Sequence, residues 1–167
     1  MTRRVILALV MIITAVGLQT TLFDDLRPLN AAPALALLVL MAAARHMKDT
    51  PSLLIGFGSG ILLDLLGESP LGLWALVHTI VVFVVLRFRD RTEDDPLILA
   101  FGVFLLTAGA LALFAVLGTI FGEKTLADAS MVRKIVLPAA FNTILATAVL
   151  PGVSWVLGAR RRSGWDL

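Results

Sequence analysis

The chain has 167 residues, of which 59% are hydrophobic and 16% are charged, and its net charge is +2. An average soluble domain is about 45–50% apolar and about 25% charged, so this composition argues against a soluble enzyme or a nucleic-acid-binding module. The chain has no cysteine, which excludes disulfides, thiolate metal sites and a cysteine nucleophile.

Six apolar stretches follow one another along the chain, and each is read as a membrane-spanning helix. Crossing the hydrocarbon core of about 30 Å takes roughly 20 residues at about 1.5 Å each. The first stretch lacks a small-x-small cleavage site, which favours an uncleaved span over a signal peptide. The second, third and fourth are short and are expected to need thinned lipid or ends at headgroup level. The predicted spans, within a single transmembrane domain of residues 1–167, are 5–23, 29–44, 53–66, 71–86, 97–121 and 135–157.

Lysine and arginine are distributed unequally between the two predicted sides. With the N-terminus inside, the outer segments hold four of the 14 basic residues, namely Arg27, Lys124, Arg133 and Lys134. The inner segments hold the other ten, namely Arg3, Arg4, Arg45, Lys48, Arg87, Arg89, Arg91, Arg160, Arg161 and Arg162. The positive-inside rule therefore predicts six spans with both termini in the cytoplasm, since an odd number would leave one basic end outside.

The third span carries a face of small residues that ends in an acid. Gly56 and Gly60 form a Gly-xxx-Gly pair, and Asp64 lies four residues further on. At about 100° per residue the three share one helix face. Small residues at this spacing let two helices approach closely, either within the bundle or with a partner. Gly118 and Gly122 form a second such pair in this chain.

Three polar residues lie within the predicted spans. Asp64, near the outer end of its span, is interpreted as a carboxylate that bonds the following loop, as a structural clasp, or as an ion- or proton-coupling group. His78, predicted about 12 Å inside the bilayer, has no Glu or Cys at ligand spacing, so an interhelical hydrogen bond is expected rather than a metal site. Asn142 lies in the outer half of the sixth span. One hypothesis is that Asp64, His78 and Asn142 border a single outward-facing polar cavity.

The sequence contains no motif that carries chemistry. A glycine-rich phosphate loop, a Gly-x-Ser-x-Gly motif and a His-Glu-x-x-His motif are all absent. The chain has two histidines and one acid inside a predicted span, which are too few side chains for acid–base or metal catalysis. The prediction is a protein that is not an enzyme and uses no cofactor.

Residues 56–65 read Gly-Phe-Gly-Ser-Gly-Ile-Leu-Leu-Asp-Leu, and a Pro-Leu-Gly turn at Pro70 to Gly72 follows them. This stretch resembles the signature of the rod shape-determining protein MreD family, in which a Gly-Phe-x-x-Gly-Leu-x-x-Asp-Leu helix precedes a Pro-Leu-Gly turn. The domain-free, six-span layout is similar along the rest of the chain. The resemblance implies an all-α polytopic transmembrane bundle in the bacterial cytoplasmic membrane, similar to the S components of energy-coupling-factor transporters.

The resemblance also implies a function and partners. MreD proteins are non-enzymatic scaffolds of the cell-elongation machinery, which bind MreC and act with MreB, RodA and a class B penicillin-binding transpeptidase in lateral peptidoglycan synthesis. Small faces on the third, fifth or sixth span would accept a partner helix, Pro70 and Gly72 would fix the turn, and the basic loops would contact membrane lipid. The alternative is a small-molecule-binding, S-component-like transporter subunit. Ala8 is followed four residues on by Ile12, which departs from the Ala-xxx-Ala motif of many S components.

Overall fold

The fold is built from helices connected by short segments. The computed structural model describes residues 2–25, 32–67, 69–89, 95–122 and 130–158. Within these ranges there is no strand, and the six helices are α1 (Thr2–Asp25), α2 (Leu35–Ala44), α3 (Asp49–Leu66), α4 (Leu73–Phe88), α5 (Pro96–Ile120) and α6 (Met131–Val156). The predicted all-α polytopic bundle is confirmed.

Four of the described helices, α1, α3, α5 and α6, are long and apolar enough to cross a membrane, whereas α2 and α4 are shorter apolar helices. The chain is therefore a multi-pass membrane protein. Helices α3 and α6 begin before their predicted spans because hydropathy marks the apolar part of a helix and not its polar first turn, whereas α4 begins at Leu73, two residues after its predicted start, because Gly72 still belongs to the turn. Helix α3 begins at Asp49 and α6 at Met131, each four residues before the predicted span.

The second span needs the largest correction. It was predicted to start at residue 29, but residues 29–31 lie outside the described part of the chain and residues 32–34 are not helical. Pro33 disfavours the helical conformation of the residue before it, and α2 begins at Leu35. At about 1.5 Å per residue, its 10 residues span only about 15 Å.

Helix α2 lies at the centre of the bundle. Apolar residues surround it on all sides, which is the pattern of a helix buried in a core, and it contacts each of the other five helices. Its buried residues are Ala36, Leu37, Leu38, Leu40, Met41, Ala42, Ala43 and Ala44. The outer helices pack around this short core helix, and large apolar side chains on α1, α5 and α6 remain exposed on the outside.

Contacts between distant segments define one end of the bundle. Arg4 Nη2 donates to the carbonyl of Gly158 at 3.4 Å. Arg89 donates to the Met47 carbonyl at 2.7 Å and to Asp49 at 2.9 Å. The start of α1, the α2–α3 turn and the ends of α4 and α6 therefore lie together, and we call this the basic end.

The charge distribution of the described residues follows the predicted sides. The basic end carries Arg3, Arg4, Arg45, Lys48, Arg87 and Arg89, and the opposite end carries Arg133 and Lys134 at the start of α6. Arg27, Arg91, Lys124 and Arg160 to Arg162, which also entered the prediction, lie outside the described residues.

Candidate functional site

Helices α3 and α4 form a hairpin whose main chains touch. A Cβ atom on Gly60 would overlap the Cα and N atoms of Ala75, and one on Gly56 would lie 2.9 Å from Cγ2 of Val82. Only a residue without a side chain fits at Gly60, because main-chain atoms of α4 cannot move aside. The Gly-xxx-Gly face of α3 is thus covered by α4 and serves contact within the bundle.

The carboxylate of Asp64 caps the start of α4. Its Oδ1 accepts hydrogen bonds from Ser69 Oγ at 3.0 Å and from the backbone N–H of Trp74 at 3.0 Å. Its Oδ2 accepts from the N–H groups of Gly72 at 2.9 Å and Ala75 at 3.3 Å. The first N–H groups of a helix lack intrahelical acceptors and attract negative charge. We call this arrangement the Asp64 clasp.

The clasp depends on the turn before α4. Gly72 has a φ of 94°, a left-handed conformation that glycine adopts without strain, and the Pro70 carbonyl accepts from the Leu73 N–H at 3.2 Å. Asp64 is 4% exposed, and both of its oxygens are engaged by α4 and the turn. This geometry favours the loop-bonding and clasp interpretations of Asp64 over ion or proton coupling.

His78 joins α4 to α3 and belongs to a small aromatic cluster. Its Nδ1 is hydrogen-bonded to Ser59 Oγ at 2.9 Å, and Ser59 Oγ also lies 2.9 Å from the Gly56 carbonyl oxygen. The Trp74 ring meets the His78 ring edge-on and stacks on Phe114 of α5, with centroids 5.7 Å and 4.2 Å away respectively. The expected interhelical hydrogen bond is present. His78 Nε2 is buried without a partner among the described residues.

Asn142 connects α6 to two other elements. Its Nδ2 donates to the carbonyl of Ala34, just before α2, at 3.0 Å and to Thr107 Oγ1 of α5 at 3.3 Å. Asn142 and Thr107 are fully buried. Asn142 Oδ1 has no hydrogen-bond partner in the described part of the chain. The amide therefore ties the long helices α5 and α6 to the start of the core helix.

The second predicted glycine pair is divided by the end of a helix. Gly118 is buried on α5, but α5 ends at Ile120, and Gly122 follows with a φ of 93°. A Cβ atom on Gly122 would have no atom within 4 Å. The two glycines do not share a continuous helix face, because the left-handed conformation at Gly122 belongs to the turn.

Two cavities have lining residues in common near the basic end. The first, the basic cleft, has a volume of about 470 Å³ and is lined by Arg3, Arg4, Val5, Leu7, His46, Met47, Lys48, Pro51, Trp155, Val156, Leu157 and Gly158. The second, the apolar groove, lies between α1 and α3, has a volume of about 600 Å³ and is lined by Val5, Leu9, Ile12, Ile13, Thr50, Pro51, Leu54, Ile55, Gly58, Ser59 and Leu62. Among the described residues no group of His, Cys, Asp and Glu could hold a metal ion.

The hypothesis of one cavity bordered by Asp64, His78 and Asn142 finds no support in these contacts. None of the three lines the basic cleft or the apolar groove. Trp74 links two of them, because its backbone N–H bonds Asp64 and its ring contacts His78. The described bonds of Asn142 run instead to Ala34, just before α2, and to Thr107 of α5. Sequence reasoning missed both cavities, since the residues that line them become neighbours only when distant chain segments meet.

Comparison with known proteins gives a match at the level of a family. The family model described as rod shape-determining protein MreD matches residues 1–153, a range that extends from before α1 into the last turn of α6. No curated protein and no solved structure matches the chain. The similarity of the fold to transporter S components therefore stays a prediction.

Proposed function

Because the chain belongs to the MreD family of rod shape-determining proteins, we propose that it is a non-enzymatic scaffold that binds MreC in the cell-elongation machinery. Membership in the family implies a role in rod shape determination. Through MreC, the scaffold would act with MreB, RodA and a class B penicillin-binding transpeptidase to direct lateral peptidoglycan synthesis. We place it in the bacterial cytoplasmic membrane with both termini inside, which the excess of arginine and lysine at the basic end supports.

The internal use of the buried polar groups supports a scaffold. The Asp64 clasp, the bond between Ser59 and His78 and the bonds of Asn142 each join two or more segments of this chain. These side chains fix helices against one another, and Asp64, His78 and Asn142 line neither of the described cavities. The alternative, an S-component-like ligand binder, would place its pocket at the outer end, whereas the basic cleft lies at the basic end and the apolar groove runs along α3 from Thr50 to Leu62 with almost no polar group.

An exposed face of α6 supports the assignment of MreC as the partner. Thr147, Ala148 and Gly152 are small and exposed on this helix, and a Cβ atom on Gly152 would meet no atom within 4 Å. Small residues four apart let a second helix approach closely in lipid. We therefore infer that the single transmembrane helix of MreC packs on this face, which we call the α6 small face.

A proline makes the same face suited to a polar contact. Pro151 has no N–H, so the carbonyl of Thr147, four residues earlier, lacks its usual helical donor. In lipid a backbone carbonyl without a donor costs several kcal/mol, because no water is present to bond it. A hydroxyl or amide on a partner helix would supply the missing bond. The face thus combines close approach with an acceptor for a partner.

Disulfide crosslinking in membranes tests this assignment. The chain has no cysteine, so Ala148→Cys and Gly152→Cys each introduce a single thiol on the α6 small face. With MreC coexpressed and carrying cysteines along its helix, we expect crosslinks from both positions at a spacing of about one helical turn.

Val10→Cys on α1 and Leu105→Cys on α5 are the matched controls, since Val10 and Leu105 are exposed apolar residues on other helices. Crosslinks only from the control positions would contradict the α6 assignment. Failure of MreC to copurify with the unmodified chain would contradict MreC binding itself.

A further inference from the structure

The basic cleft is a concentration of positive charge. Arg3, Arg4 and Lys48 line it, and no acidic side chain occurs among the described residues of its wall. The first turns of α1 and α3 border the cleft and add partial positive charge, and the last turn of α6 borders it and adds partial negative charge, so the side-chain cations decide the sign. Asp49, the nearest acid on α3, is paired with Arg89. The cleft therefore attracts an anion.

The apolar groove has the opposite character. Leu9, Ile12 and Ile13 of α1 face Leu54 and Leu62 of α3 across it. Gly58 lies in its wall, and a Cβ atom there would meet nothing within 4 Å, so the missing side chain leaves space in the groove. The wall offers packing surface with almost no polar group, which suits a hydrocarbon chain.

The two cavities share part of their lining, and the length of the groove is close to the thickness of one leaflet. Val5 and Pro51 line both cavities. From Pro51 to Leu62 the helix advances 11 residues, or about 16 Å, which is half of a hydrocarbon core of about 30 Å. Trp155, 83% exposed, stands in the wall of the cleft, where an indole suits the headgroup level.

We propose that the basic cleft and the apolar groove together bind one anionic phospholipid from the leaflet at the basic end. The phosphate and headgroup occupy the cleft beside Arg3, Arg4 and Lys48, and an acyl chain lies in the groove between α1 and α3. A free phosphate would leave the groove empty, and an apolar helix would leave the cations unmatched. A phospholipid of net negative charge satisfies both parts.

Lipid retention measured by native mass spectrometry tests the proposal. The purified full chain in detergent is titrated with phosphatidylglycerol or phosphatidylcholine, and thermal unfolding is followed in parallel. We expect phosphatidylglycerol to bind tighter and to raise the Tm more than phosphatidylcholine does. In the double variant Arg3→Gln, Lys48→Gln the affinity for phosphatidylglycerol should fall by about 25-fold, at about fivefold for each cation near the surface.

Two further variants separate the cleft from the groove. Arg133→Gln, Lys134→Gln removes the same charge at the opposite end and should leave the affinity unchanged. Gly58→Leu fills the groove and should weaken both lipids. Should the double variant fail to fold, Lys48→Gln alone, at an exposed position, is expected to lower phosphatidylglycerol affinity about fivefold.

Specific results would overturn the proposal. Equal binding of the two lipids, or equal losses in the variants at the two ends, would show that the cleft has no special role. If inorganic phosphate raised the Tm as much as phosphatidylglycerol does, the cleft would be a site for a free anion. If Gly58→Leu left lipid binding intact but abolished the MreC crosslink, the groove would belong to a partner helix.

Discussion

Replacing Gly60 by alanine should prevent α3 and α4 from packing and sharply reduce the amount of folded protein in the membrane. The new Cβ atom would overlap the main chain of Ala75, and a backbone cannot yield as the end of a side chain can. Overpacking typically costs about 1–3 kcal/mol, and this site is expected at or above the upper value. The free energy of unfolding in mixed micelles, titrated with a denaturing detergent, measures the effect.

Gly58→Ala is the control for this substitution. Gly58 lies on the same helix, and a Cβ atom there has open space. The exchange should be neutral or stabilise by up to about 1 kcal/mol, since alanine has the higher helix propensity. Equal unfolding free energies for the Gly58 and Gly60 variants would contradict the close contact between α3 and α4.

Asp64→Ala should destabilise the protein by about 3 kcal/mol or more. The substitution removes the acceptor of four donors, namely the hydroxyl of Ser69 and three backbone N–H groups. One N–H belongs to the loop before α4 and the other two to the first turn of α4. A buried donor left without a partner costs about 1–3 kcal/mol. Asp64→Asn, which keeps one oxygen as acceptor, should have an intermediate effect. The same micelle titration compares the two variants with the parent chain.

Ser69→Ala calibrates this measurement because it removes only one of the four bonds, worth about 1 kcal/mol. If Asp64→Ala cost no more than Ser69→Ala, the carboxylate would not be the cap of α4. A result in cells could also change the interpretation of Asp64 from a structural cap to a coupling group. Loss of rod shape in cells with Asp64→Asn, at unchanged stability of the purified protein, would support ion or proton coupling.

The sequence predicted correctly those features that depend on a single helix, such as which residues share one of its faces. The four-residue spacing of Gly56, Gly60 and Asp64 placed them on one face, and the structure presents that face to α4. Spacing alone does not identify the helix opposite, so contact within the bundle was the favoured interpretation and contact with a partner the alternative. The acceptor role of Asp64 toward Trp74 and Ala75 depends on the left-handed turn at Gly72, which periodicity does not report.

Features that join distant segments were beyond prediction from one sequence. Asn142 bonds the carbonyl of Ala34 across 108 residues, and no local pattern indicates such a pair. The central place of α2 could not be inferred either, because a stretch that is apolar on all sides fits lipid and a protein core equally well. The basic cleft combines residues from the starts of α1 and α3 with the end of α6.

We propose that the bundle crosses the membrane with its basic end in the cytoplasm, and single-cysteine labelling measures this orientation. Lys48→Cys places a thiol just before α3, and Leu71→Cys places one in the turn beyond its other end, where Leu71 is 71% exposed. In protoplasts or spheroplasts, a membrane-impermeant maleimide should label position 71 at once and position 48 only after permeabilisation. Labelling of both positions in intact cells, or the reverse order, would contradict a bundle that spans the membrane with its basic end inside.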